Sequence, residues 1–212
     1  MRGTLRVVLA GLSLLTALAA SPRAQQEITS PLHVVLIVDS SSAMASMINE
    51  FRSGLTAFVD TLPPEAEVAF ISTGGQLRVR VPPGTDRARL TKAAGGFAQD
   101  GGANSFLDTL LEADKRFMKP ATGRRQVFVV LSTDSSTRGE LPIDEYNKFM
   151  NDFRRRGGRA HAVVIRGNTM GTPSEILGNL TQNTGGTMKV VAVATGLKDT
   201  MKELGELIVR GK

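Results

Sequence analysis

Three short stretches of the chain place oxygen-bearing side chains at close spacing. The first is Asp39, Ser40, Ser41 and Ser42, followed by Ala43 and Met44. The second is Gly101, Gly102, Ala103, Asn104 and Ser105, running into Phe106, Leu107 and Asp108. The third is Ser132, Thr133, Asp134, Ser135 and Ser136. Carboxylate and hydroxyl oxygens are hard ligands. Gathered in one place they suit Mg²⁺, Ca²⁺ or Mn²⁺, and Mg²⁺ wants about six oxygens, several of them from water. Asp and Ser directly after a strand also serve as helix N-caps, and Asp39 and Ser41 are candidates for that role too.

Little else in the chain could react. There is no Cys, hence no thiolate nucleophile, no thiolate metal site and no disulfide framework. The two histidines are His33, at the start of one apolar run, and His161, inside another. Neither stands where a Ser/His/Asp arrangement would need it. There is no G-x-S-x-G elbow, no Walker loop, and no G-x-G-x-x-G after the first strand. Gly95, Gly96, Gly101 and Gly102 bound a loop that lacks the Lys of a phosphate cradle. An aspartate after the first strand invites comparison with aspartyl-phosphate chemistry, but no second acid follows Asp39 two residues on. The expectation is a protein that is not an enzyme.

The elements that would position these loops can be read from periodicity. Residues 32–38 (LHVVLIV) form a continuous apolar run, as in a strand buried on both faces. Met44, Met47, Ile48, Phe51, Leu55, Phe58, Val59 and Leu62 recur at helical spacing, and Pro63 and Pro64 stop that helix. Strands at 66–72 and 76–81 flank Gly74 and Gly75 and read as an antiparallel hairpin. A short helix over 86–94 precedes the glycine-rich loop, and a longer one spans 104–118. Then strands at 126–132, 160–165 and 188–193 alternate with helices at 142–156 and 173–184, and a last helix carries Leu197, Met201, Leu204 and Ile208. This order predicts an α/β, doubly wound, mostly parallel six-stranded sheet with one antiparallel edge strand and helices on both faces, a Rossmann-like arrangement. In such sheets ligands bind beyond the carboxyl ends of the strands, where the three oxygen-rich loops emerge.

Those loops resemble the von Willebrand factor A family, whose fold carries a metal-ion-dependent adhesion site. The family's first motif is D-x-S-x-S after the first strand. Asp39 and Ser41 match it, and Ala43 stands where the last serine would be. The second motif supplies a Thr after a Gly-rich loop. Aligned on Asp108, Asn104 takes that position and offers a side-chain carbonyl instead of a hydroxyl. The third is an Asp in a T-D-G-like turn, matched by Thr133 and Asp134 with Ser135 in place of Gly. Thr184, Gly185 and Gly186 before the last strand also resemble a recurrent family feature. The resemblance implies a divalent cation held by Asp39, Ser41, Asn104 and Asp134, with Ser40, Ser42, Ser105 and Ser135 facing a partner. It further implies a protein ligand offering an acidic side chain to the metal. Two hydroxyl ligands are absent, so a weakened site is expected.

Composition fits a folded domain: of 212 residues, 41% are hydrophobic and 22% charged, a balance that argues against a disordered or fibrous chain. The N-terminus has a separate character. Arg2 and Arg6 precede an uncharged run over 7–20, and small residues follow at Ala17, Ala19, Ala20, Ser21 and Ala24. This is the layout of a secretory signal peptide, too short to span a membrane comfortably. Residues 1–24 are expected to be the leader, 25–30 a linker and 31–212 the domain, in an exported, periplasmic or extracellular protein. An uncleaved leader acting as an anchor is the alternative. Loss of Arg2, Arg6 and Arg23 lowers the formal charge from +6 to +3. That is little for binding nucleic acid or anionic lipid. Two basic clusters, Lys115, Arg116, Lys119, Arg124 and Arg125, and Arg154, Arg155, Arg156 and Arg159, have no interleaved aromatics for base stacking and read as solvated helix ends.

The expected function is an exported protein-binding module, used in adhesion or assembly, that employs a divalent metal crevice. Its rivals are a metal-free scaffold domain and a hydrolase that activates water at the metal.

Overall fold

The computed structural model describes residues 30–135, 142–166 and 172–211. The leader expected over 1–24, most of the linker, and Ser136 lie outside the described residues. The strands are β1 (Leu32–Val38), β2 (Glu67–Ser72), β3 (Arg78–Gly84), β4 (Arg125–Thr133), β5 (Arg159–Ile165) and β6 (Met188–Val191). The helices are α1 (Ile48–Thr61), α2 (Arg87–Gly95), α3 (Phe106–Ala113), α4 (Ile143–Arg155), α5 (Thr172–Thr184) and α6 (Leu197–Val209). One sheet has the order β3-β2-β1-β4-β5-β6. β2, β1, β4, β5 and β6 run parallel, and β3 pairs antiparallel with β2 at the edge. The doubly wound sheet expected from the alternation of apolar runs is the one observed.

Each central strand feeds two cores because its side chains alternate. Val34, Leu36 and Val38 join Phe51, Leu55 and Phe58 of α1, Leu90 of α2, and Leu197, Met201 and Leu204 of α6 on one face. Val35 and Ile37 join Phe106 and Leu110 of α3, Phe149 and Phe153 of α4, and Leu177 and Leu180 of α5 on the other. A fully buried Leu or Phe contributes about 2 kcal/mol, so these layers supply most of the stabilisation. α1 and α6 approach closely: a Cβ on Gly54 would lie 2.9 Å from Leu197, and one on Gly205 1.9 Å from Thr61.

Several boundaries differ from the sequence-based expectation. The last strand ends at Val191, not at 193, because the chain turns into a 3-10 segment (Ala194–Gly196) that leaves Val193 65% exposed. The first helix opens with a 3-10 stretch (Ser42–Met47) before α1. β3 runs on through Pro82 and Pro83, which an edge strand tolerates where its pairing with β2 shifts register, between Val68 and Phe70. The helix expected over 104–118 begins at Phe106, and its last turn widens into a π segment (Asp114–Met118). That turn buries Asp114 and draws Arg156 out of the second basic cluster, whose Arg154 and Arg155 are exposed as solvated helix ends. Arg156 pairs with Asp114, whose side chain is 3% exposed, and donates to Gln126 Oε1 at 3.2 Å. Burial pushes the Asp114 carboxyl up, against the pull of Arg156 and Lys119.

Candidate functional site

Parallel strands β1 and β4 are neighbours, so the loops leaving their carboxyl ends must meet. They meet through Asp39. Its Oδ1 accepts the Ser41 backbone N–H at 2.8 Å. Its Oδ2 accepts the Thr133 backbone N–H at 3.1 Å and also the Thr133 hydroxyl. Asp39 is 1% exposed, and these three bonds are what keeps a buried carboxylate tolerable. Ser135 Oγ lies 2.9 Å from Thr133 Oγ1.

The second loop is fastened to both of the others. The Ser42 N–H donates to the Gly102 carbonyl at 3.1 Å, and the Asp100 N–H donates to the Ser40 carbonyl at 2.9 Å. Asn104 Nδ2 donates to Ser132 Oγ at 3.1 Å, while Asn104 Oδ1 accepts the Thr73 hydroxyl at 2.7 Å. Ser105 Oγ donates to the Thr73 carbonyl at 2.6 Å. Gly74 sits where these segments crowd: a Cβ there would lie 2.6 Å from the Ser40 carbonyl oxygen and 2.8 Å from that of Gly101. Only a glycine allows the β2–β3 turn to come so near.

The eight residues expected at the site therefore divide. Asp39 and Ser41 follow the carboxyl end of β1, and Asp134 follows that of the neighbouring β4. Asn104 is 1% exposed and its amide already bridges Thr73 and Ser132, so it works as a strut between loops. Ser40 and Ser105 were expected to face a partner, yet they are 0% and 5% exposed with their hydroxyls turned inward. Ser42 is exposed and Ser135 half-buried, and these two remain available to a partner. Ala43 is exposed beside Ser42.

Two oxygen atoms are left over. Ser41 Oγ and Asp134 Oδ2 are both buried without a hydrogen-bond partner among the described residues. The other oxygen of Asp134 accepts the Ser174 N–H at 3.2 Å, at the start of α5, where a carboxylate meets the positive end of the helix dipole. A buried, partnerless carboxylate oxygen is costly. Among the described residues no group of three or more His, Cys, Asp or Glu is arranged to hold a metal. The donor set is smaller and harder than that: two carboxylates and a hydroxyl. Ser41 Oγ and Asp134 Oδ2, with the charge of Asp39 on the first loop, are of the kind a small hard cation that keeps several waters would take, whereas Ala43 has no oxygen to give and both amide atoms of Asn104, like both oxygens of Asp39, are already bonded.

The histidines stand apart. His33 lies at the amino end of β1, 3.5 Å from Glu67. Burial lowers its pKa, opposed by Glu67. His161, in β5, accepts the Thr187 N–H through Nδ1 at 3.2 Å. Burial, with Arg159 and Arg125 nearby, lowers its pKa to about 4. The residue that sequence reasoning missed is Asp100, which accepts the hydroxyls of Ser40 and Ser72 and pairs with Arg80. The signal for it was present: Arg78 and Arg80 alternate along an edge strand, and one acid interrupts the glycine-rich loop.

Residues 34–137 match the family described as von Willebrand factor type A domain. No curated protein matches the chain in sequence. Among solved structures, the chain is similar to a von Willebrand factor type A protein from Catenulispora acidiphila, with a TM-score of 0.68 and 20% identity over 84% of this chain and 42% of that one. It is also similar to proximal thread matrix protein 1 from the mussel byssus, solved with a zinc-occupied adhesion motif (TM-score 0.67, 16% identity, 86% of this chain, 46% of that one). A third is the pilus adhesin SpaC from Lactobacillus rhamnosus GG (TM-score 0.66, 13% identity, 86% of this chain, 30% of that one). The chain spans less than half of each of these proteins, and at such identities the likeness is one of fold.

Proposed function

We propose that this chain, which belongs to the von Willebrand factor type A family, is a protein-binding module that docks its ligand over the Asp39, Ser41 and Asp134 crevice, around a divalent cation. The observation that carries the reading is that two buried oxygens, Ser41 Oγ and Asp134 Oδ2, after the carboxyl ends of β1 and β4, have no hydrogen-bond partner among the described residues. A cation such as Mg²⁺, Ca²⁺ or Mn²⁺ held there would supply an open coordination position for an acidic side chain of the partner. Asp39 orients the first loop and adds negative charge, Ser41 and Asp134 contribute oxygens, and exposed Ser42 and half-buried Ser135 offer hydroxyls at the rim. SpaC is a pilus adhesin and the byssal protein carries an adhesion motif, and adhesion comes to this chain as part of the proposal.

The module is non-catalytic in this reading. What supports it is the placement of the two imidazoles, His33 at the amino end of β1 and His161 bonded to Thr187, neither in contact with the crevice. Export through the leader at residues 1–24 belongs to the same proposal. No helix among the described residues is long and apolar enough to cross a membrane.

One observation favours a second reading. Asn104 is spent on Thr73 and Ser132, and Ala43 offers no hydroxyl. A crevice so depleted would bind its partner without metal, through hydrogen bonds to Ser41 Oγ and Asp134 Oδ2. The melting temperature separates the two. A bound ion stabilises the folded state by mass action. Excess Mn²⁺ is expected to raise the midpoint of the wild type and not that of Ser41→Ala. An unchanged wild-type midpoint favours the metal-free reading.

A further inference from the structure

The wall behind the first loop is ionic. The Asp100 side chain is 6% exposed and pairs with Arg80 and, at 3.4 Å, with Arg78. It also accepts Ser40 Oγ at 2.7 Å and Ser72 Oγ at 2.9 Å. Its own backbone N–H reaches the Ser40 carbonyl at 2.9 Å, joined there by the Gly101 N–H at 3.2 Å. Arg80 is held in turn: it donates to Ser72 Oγ at 2.9 Å and to the Ala98 carbonyl at 3.1 Å, and its guanidinium lies 5.4 Å from the centre of the Phe97 ring. Ser40 Oγ completes the arrangement by accepting the Gly74 N–H at 2.8 Å.

Ser40 is thus gripped at both its hydroxyl and its carbonyl by a single residue, and it is covalently flanked by Asp39 and Ser41, the two crevice residues of the first loop. We infer that Asp100, latched by Arg80, is a positioning residue that fixes segment 39–41 and thereby sets how tightly the crevice binds. The inference rests on the reading that this crevice is the binding site. With the Ser40 hydroxyl and the Ser40–Ser41 peptide group both held, Ser41 cannot shift without breaking bonds to buried carboxylates. A site held in place before its ligand arrives loses less freedom on binding. Asp100 does with charge, from behind, part of what two absent hydroxyl ligands would do from the front.

The buried Asp114–Arg156 pair supplies the control, since it joins the end of α3 to the end of α4 and touches none of the three loops. The full protein is compared with Asp100→Ala, Asp100→Asn, Arg80→Met and Arg156→Met by Mn²⁺ calorimetry and by amide exchange at Ser42 and Gly74. Asp100→Ala is expected to weaken Mn²⁺ binding by about 10-fold or more, the scale for residues that orient a ligand without touching the ion. It should also speed exchange at those two amides selectively. Asp100→Asn keeps an acceptor for the hydroxyls and should lose less, and Arg80→Met should fall between. Arg156→Met should lower the melting midpoint while leaving Mn²⁺ affinity and the two amides alone. If Asp100→Ala does not fold, the Asp100→Asn and Arg80→Met comparison decides. The inference is overturned if the Asp100 and Arg80 variants bind as the wild type does with unchanged exchange, or if Arg156→Met reproduces their changes. Should the wild type take up no Mn²⁺, the cation reading fails on its own. Exchange then decides the latch: acceleration confined to Ser42 and Gly74 sustains it, and uniform acceleration refutes it.

Discussion

Thr133 gives both its backbone N–H and its hydroxyl to the same oxygen of Asp39, so one carboxylate ties the ends of β1 and β4 together. The other oxygen takes the Ser41 N–H at 2.8 Å. Both oxygens must accept, and an amide has only one that can. Asp39→Asn should therefore cost nearly as much as Asp39→Ala, about 2–4 kcal/mol each, since every orphaned buried donor costs about 1–3 kcal/mol. Urea denaturation measures it, and a cost below about 1 kcal/mol for Asp39→Asn would show that the bonds from Thr133 contribute little.

Asn104 behaves as a strut between Thr73 and Ser132. Threonine at that position offers a single, shorter-reaching hydroxyl in place of the two separate amide atoms that span from Thr73 to Ser132. Asn104→Thr is expected to lose about 1–2 kcal/mol of stability and to leave Mn²⁺ affinity unimproved, although it restores the residue type of the family motif. A gain in Mn²⁺ affinity on calorimetric titration would show that position 104 can reach the ion.

Ala43 is exposed in the 3-10 stretch that opens the first helix. Ala43→Ser adds a hydroxyl next to the crevice without disturbing the core, so the stability change should stay within about 0.5 kcal/mol. Under the cation reading its Mn²⁺ affinity rises several-fold. Equal affinity in variant and wild type would mean that residue 43 does not face the ion.

The pKa of His161 is lowered to about 4 by burial and by Arg159 and Arg125, below the unfolded value of about 6.5. Between these two pH values the unfolded chain binds more protons than the folded one. Stability is therefore full above about pH 6.5 and falls as pH drops toward 4, by about 3 kcal/mol at most. His33, also lowered by burial, acts in the same direction. Denaturation midpoints at pH 7 and pH 4.5 should differ less in His161→Gln than in the wild type. An identical difference in both would remove His161 as a source of acid sensitivity.

The sheet could be read from the chain because its strands are apolar on both faces: runs such as 32–38 and 126–132 have few other places to go. Their ends were harder to place, since a turn decides them. Val193 has strand chemistry yet lies beyond β6, where the 3-10 segment begins. The three loops of the crevice followed from strand order. Which of three adjacent serines faces inward did not, because it depends on backbone geometry after Val38: Ser40 and Ser41 are buried and Ser42 exposed. Asp100 escaped notice for another reason. Its bond to Ser40 spans 60 positions of sequence, and although Arg78 and Arg80 point to an acid nearby, nothing in their spacing says that it also holds Ser40.

The most direct test of the central claim is calorimetric titration of Mg²⁺ and Mn²⁺ into the wild type and into Asp134→Asn. That substitution can keep an oxygen for the Ser174 N–H while replacing the partnerless Oδ2 with an amide nitrogen, so the capped start of α5 survives and the ligand does not. The account predicts saturable binding in the millimolar range or tighter for the wild type and none for the variant. Equal heats in both proteins, or no binding to the wild type, would contradict it.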